Sequence, residues 1–196
     1  MYNLLNSYDN AESVYSKDES LFIERALDPS LNAIFPIGGT MTRDGDLKPN
    51  VKFSAKVGSK IFDFLIFEVK CPNSVAKDDL FKMSLELQLI INRMIANKVS
   101  KPVDYGVVGQ GAGFDYDVYR MELVAPLVYL PIKVRSFYLP RSTCDLTVAL
   151  TTIPTLLQLQ QLTCNQVYKI RRNIMSDESE QYHWTRSPLI TLNKFF

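Results

Sequence analysis

Ile61-Phe-Asp-Phe-Leu-Ile-Phe-Glu-Val-Lys-Cys-Pro72 is the stretch from which the rest of the chain can be read. Ile61–Phe67 is apolar except for Asp63 and rich in aromatic and β-branched residues. A short run of that kind reads as a strand buried on both faces. Glu68 and Lys70 follow, two positions apart, and the period-two geometry of a strand turns both to one face. By the same parity Asp63 faces the opposite way. Burying a carboxylate or an ammonium is costly unless it pairs or holds an ion. Cys71-Pro72 then ends the strand, because proline cannot donate to a ladder. Two readings follow: an ion pair closing a core strand, or a site built where the strand ends.

Upstream, Leu47–Val57 reads as the partner strand. From Val51 onward it alternates, with Val51, Phe53, Ala55 and Val57 on one face and Lys52, Ser54 and Lys56 on the other. Gly58-Ser59 makes the hairpin turn. Ile34–Thr42 carries Gly38-Gly39 and reads as a short strand with a turn or bulge, and Arg43-Asp-Gly-Asp as a turn. Asp18–Leu27 opens a helix of about three turns, capped by Asp18 or Ser20. Glu24 shares a face with Leu21 and Leu27 there. Residues 1–17 are polar and expected to be loosely held.

Downstream, Asn73-Ser74 and Asp78-Asp79 open a long helix to about Asn97. Its expected core stripe is Leu80, Ser84, Leu87, Ile91 and Met94, with Lys82, Glu86 and Arg93 on a flank. Three strands follow, Val103–Gln110, Asp115–Val124 and Leu127–Val134, as an antiparallel meander. Ser142-x-x-Asp145 resembles a capping box. Pro154 is expected to divide the helical region that follows, which carries Leu156, Leu157, Leu159 and Leu162 and ends near Met175. Residues 177–196 form a polar tail with an aromatic end. The expectation is one α/β domain over residues 18–175, with a central mixed sheet flanked by helices.

Composition narrows the function classes. The chain has 196 residues, 46% hydrophobic, with a formal net charge of +1, so any basic surface is local rather than global. Cys71, Cys144 and Cys164 form no disulfide framework, which points to an intracellular setting, cytoplasm or nucleus. The opening residues lack a basic segment followed by an apolar one, so no secretory leader is expected. No apolar run approaches the roughly 20 residues of a membrane helix, so no membrane partner is expected. His183 is the single histidine, which argues against histidine-based metal or triad chemistry. Gly109-Gln-Gly-Ala-Gly113 lacks the lysine and the strand-to-helix setting of a phosphate loop and reads as a hairpin turn.

A helix with Glu24, a strand opening at Lys48-Pro49-Asn50, a hairpin, a buried strand ending Glu68-Val69-Lys70 and then a helix together resemble the PD-(D/E)xK, or restriction-endonuclease-like, nuclease superfamily. The similarity covers about residues 18–110. The later meander and leucine-rich helix resemble poorly characterised fungal members. The resemblance implies a restriction-endonuclease-like core whose acids hold Mg²⁺ or Mn²⁺ and hydrolyse DNA or RNA. It implies that Glu68 and the Val69 carbonyl are metal ligands and that Lys70 is the catalytic lysine. Glu24 matches an acid that some members carry on the first helix. Asn50 departs from the pattern, which wants aspartate there. Asp46 or Glu24 could supply the missing carboxylate; Asp63, on the wrong face by parity, is discounted. Without such a rescue the fold would serve as a degenerate module binding nucleic acid or protein. Lys48, Lys52, Lys56 and Lys60 crowd one hairpin and, with Lys82, are candidate phosphate contacts. They equally suit a solvated edge protected by lysines.

Overall fold

The computed structural model describes residues 19–35, 40–42, 51–70, 78–109, 114–141 and 145–175. Asp46, Lys48 and Asn50 lie outside the described residues, as do the polar opening segment and the C-terminal tail. Six strands lie side by side in chain order: β1 (Thr40–Thr42), β2 (Val51–Val57), β3 (Lys60–Glu68), β4 (Val103–Gly109), β5 (Asp115–Ala125) and β6 (Val128–Tyr138). Every neighbouring pair is antiparallel except β3 and β4, which run parallel. A parallel pair needs a long crossover, and helix α2 (Asp79–Ala96) supplies it. Strands β4 to β6 form the expected meander, with β6 reaching four residues past Val134.

Local chemistry explains the boundaries. Gly58 sits at φ +63° in the β2–β3 turn, a left-handed conformation that costs glycine little. Helix α1 is a composite: an α-turn Glu19–Phe22, a π-helical turn Ile23–Leu27 and an α-helix Asp28–Ile34. Pro29 has no amide for an unbroken ladder; the wide turn ahead of it, where Asp28 N–H bonds to the Ile23 carbonyl, lets the helix run on. Helix α3 (Leu146–Met175) is unbroken, contrary to the expected division at Pro154. Pro154 lies on its exposed side beside the exposed Leu150, so the carbonyl that loses its amide partner meets water. The opposite side packs Leu156, Leu159 and Ile170 inward, and Gln160 ties α3 to the Ile34 carbonyl of α1.

The sheet has a core on each face. One lies under α1 and α3 and gathers Phe22, Leu27, Leu31, Phe53, Phe64, Leu65, Phe67, Val107, Tyr116, Phe137 and Leu159. The other lies under α2 and holds Ile66, Val108 and Met121 against Met83, Leu87 and Ile91. The inward stripe of α2 therefore runs through Met83 rather than Ser84, and Leu80 is 42% exposed. Gly106 of β4 sets how closely α2 approaches. A Cβ there would sit 2.3 Å from Met83 Sδ and 3.0 Å from Leu87 Cδ1.

Candidate functional site

The end of β3 gathers Glu68, Lys70, Asp79 and Lys82. Glu68 is its last residue and only 2% exposed, turned to the α2 face together with Ile66. Lys82, in the first turns of α2, donates from Nζ to Glu68 Oε1 at 2.5 Å. Glu68 Oε2 is buried without a hydrogen-bond partner among the described residues. Burial raises the Glu68 pKa, the Lys82 bond and charge oppose that rise, Asp79 adds to it, and Lys70 opposes it weakly. Lys70 does not close the strand by pairing with Glu68, the simpler of the two sequence readings. Its ammonium lies 3.3 Å from Asp79 Oδ1, at the N-terminal turn of α2. The Val69 side chain between them is wholly buried in the core under α1 and α3.

A second buried acid joins this group. Glu86 follows Lys82 by one helical turn, is 7% exposed, and neither carboxylate oxygen has a partner among the described residues. Burial, reinforced by the charge of Glu68, pushes its pKa up to about 8, with Lys82 and Lys52 pulling the other way. The sequence reading put Glu86 on the flank of α2. Two signals could have moved it inward: its position between Met83 and Leu87, and the i,i+4 spacing from Lys82.

Asp63 is on the same face as Glu68, contrary to the parity argument. Phe53 pairs with Leu65 but Ser54 pairs with Asp63, so β3 carries one extra residue, Phe64. Phe64 and Leu65 both enter the core under α1 and α3. A bulge of this kind reverses the alternation beyond it. Asp63 accepts from Ser54 Oγ at 2.5 Å and lies 4.0 Å from Lys52 Nζ. Deeper under α2, Asp104 of β4 is wholly buried, and its carboxylate oxygens have no side-chain partner among the described residues. Burial drives its pKa well above the usual range, the Tyr105 backbone amide opposes this, and the charge of Asp63 adds to it.

The remaining sequence candidates scatter. Glu24 is exposed, on the helix that covers the other face of the sheet, and is not brought to Glu68. Lys56 is exposed, and Lys60 Nζ donates to Asn97 Oδ1 at the opposite end of β3. Lys52 and Lys82, offered as phosphate contacts, turn to carboxylates of the α2 face instead. The register Val51↔Phe67 brings the first residue of β2 beside the strand end that carries Glu68. Asp46, Lys48 and Asn50, which precede Val51 in the chain, fall outside the described residues.

The arrangement offers two kinds of chemistry. Two buried carboxylates with three orphaned oxygens can take a hard cation, which wants oxygen donors. Lysines beside them can hold an anionic group. Among the described residues no set of three His, Cys, Asp or Glu side chains converges as a metal cluster, so a third carboxylate would have to come from elsewhere in the chain. Among them, too, no helix is long and apolar enough to cross a membrane. Compared with family models, curated proteins and solved structures, the chain finds no match.

Proposed function

We propose that this domain is a metal-dependent nuclease on a PD-(D/E)xK-like core, hydrolysing phosphodiester bonds of DNA or RNA. The observation that carries this reading is the end of β3, where buried Glu68 and the adjacent Lys70 converge on the first turn of α2 beside the start of β2. The element order supports it: a helix, an antiparallel hairpin whose second strand ends at Glu68, and a helix after it are the order on which the resemblance rests. A divalent ion bound to these carboxylates would acidify a water and offset charge on the phosphate. Lys70, paired with Asp79 and still partly exposed, would offer its ammonium to charge developing on the scissile group. Glu68 presents Oε2 as a donor once ionised. The reading implies an intracellular compartment, cytoplasm or nucleus, where nucleic acid is met.

One observation favours the second reading, a degenerate fold that binds nucleic acid or protein without cleaving. Lys82 holds Glu68 with its own ammonium, and the position preceding β2 is the neutral Asn50. The two readings separate in one assay with Mg²⁺ and Mn²⁺ on single-stranded and duplex substrates. As a nuclease, native protein cleaves and Lys70→Ala loses about 100-fold or more while still binding substrate. Equal traces of cleavage in native protein and Glu68→Gln would mean a contaminant and would end the enzyme reading.

A further inference from the structure

We propose that Glu86, on α2, is the second carboxylate ligand of a divalent cation shared with Glu68, supplying the charge that Asn50 lacks. This deepens the reading of the β3 end as a metal site and rests on it. A hard divalent ion such as Mg²⁺ or Mn²⁺ needs anionic oxygen donors; with asparagine at position 50, Glu68 alone is a poor site.

Three observations select Glu86. It is more than nine-tenths buried, and both its oxygens lack partners among the described residues, although the helix could have turned it to water as it turns Leu89 and Arg93. A buried carboxylate without hydrogen bonds is costly. It also lies on the buried side of the helix whose Lys82 reaches Glu68. Lys82 and Glu86 are neighbours one turn apart, and Lys82 already reaches Glu68 Oε1. Finally, Glu68 keeps a second oxygen, Oε2, without a hydrogen-bond partner among the described residues. The pair thus offers donors from two rigid elements packed against one another, a strand and a helix, rather than from a loop.

Lys82 is then the internal competitor of the metal. Its ammonium sits on the carboxylate that the cation needs, so binding requires Lys82 to release Glu68 and turn to solvent, where it is already partly exposed. That gives the proposal an unusual signature. Removing a positive residue that merely braces the fold would not tighten metal binding, whereas removing a competitor would.

The test is Mn²⁺ titration followed by electron paramagnetic resonance on the full chain, with MnCl₂ alone as the probe. Native protein, Glu86→Gln, Glu68→Gln and Lys82→Met are compared, each checked for folding by circular dichroism. Glutamine preserves the shape of Glu86 without its charge, so folding should survive. The expected result is at least tenfold weaker binding in Glu86→Gln and Glu68→Gln, and severalfold tighter binding in Lys82→Met. Unchanged binding in Glu86→Gln overturns the assignment, and so does a failure of Lys82→Met to bind at millimolar Mn²⁺. Cleavage is measured on the same samples. Native-like cleavage by Glu86→Gln overturns the Glu86 assignment and leaves the nuclease reading standing. Binding lost with Glu86, alongside no cleavage by any variant, upholds the assignment and overturns the nuclease reading.

Discussion

Under α1 and α3 the sheet presents Phe53, Phe64, Leu65, Phe67, Val107 and Phe137; under α2 it presents Ile66 and Val108 together with Asp63, Glu68 and Asp104. The two faces belong to the same strands and are comparably shielded from water. The first contributes stability in the ordinary way, by removing apolar surface from solvent. Its rings meet one another, with Phe22 edge-on to Phe114 and Tyr116 stacked on Phe137. The second spends part of that gain on three buried carboxylates, Glu68, Glu86 and Asp104, of which only Glu68 is in an ion pair among the described residues. Apolar side chains of similar size would fold at least as well there. The contrast therefore separates what the fold needs from what it carries for another purpose.

The largest expected effect breaks the apolar face. Phe67→Ala should cost about 3–5 kcal/mol, because the ring is wholly buried and its cavity cannot fill. Urea unfolding would show this as a shifted midpoint with little change of slope.

Next comes the charged face. Lys82→Met keeps the apolar stem but leaves Glu68 without its donor, and should cost about 1.5–3 kcal/mol in the absence of divalent ions. Adding Glu68→Gln should recover much of that loss. A double-mutant cycle by denaturation measures the coupling, and strict additivity would mean that the bond contributes nothing.

Smaller and opposite in sign is Asp104→Asn. A carboxyl whose folded pKa is raised binds its proton more tightly in the native state than in the unfolded chain. Its favourable contribution is full below the unfolded pKa, about 3.9, and is lost as pH rises from there toward the folded value. At neutral pH the acid is therefore a liability. The asparagine variant should melt about 2–4 °C higher at pH 7, the shift that about 1 kcal/mol gives a chain of this size, and the advantage should vanish toward pH 4. Calorimetry at both pH values checks it.

The smallest effect is Lys56→Ala. This side chain is exposed on β2 and should change stability by less than about 0.5 kcal/mol, measured by the same denaturation.

The apolar face was largely legible in the sequence. The alternation of Val51, Phe53, Ala55 and Val57, the Gly58-Ser59 turn and the meander follow from period-two patterning and turn chemistry, and the structure has them where that patterning puts them. The charged face was not. Phe64 and Leu65 are both apolar, so nothing in their identity announces a bulge, and parity carried through it turned Asp63 the wrong way. Treating Glu86 as polar slid the stripe of α2 toward Leu80 and Ser84, when the buried line runs through Met83 and takes Glu86 with it. Pro154 misled in another manner. Its penalty was judged for a helix interior, yet it falls on the wet side of a helix anchored by Leu156, Leu159 and Ile170. In each case a local rule gave way to a contact between residues distant in the chain. Pattern alone ranked Glu68 and Lys70 together; the packing divides them between Lys82 and Asp79.

Gly106 has a reach that its missing side chain conceals. It works as a spacer of zero thickness between β4 and α2, and Met83, the residue that rests on it, is the immediate neighbour of Lys82. Any larger residue there would have to push aside the Met83 and Leu87 side chains or lift the helix like a shim under a beam. The lift would carry Lys82, Glu86 and Asp79 away from the strand end together. A substitution in the apolar layer beneath the helix would, through such a lift, detune the electrostatic contacts of the site together. In a mutational screen it would look like the loss of a functional residue.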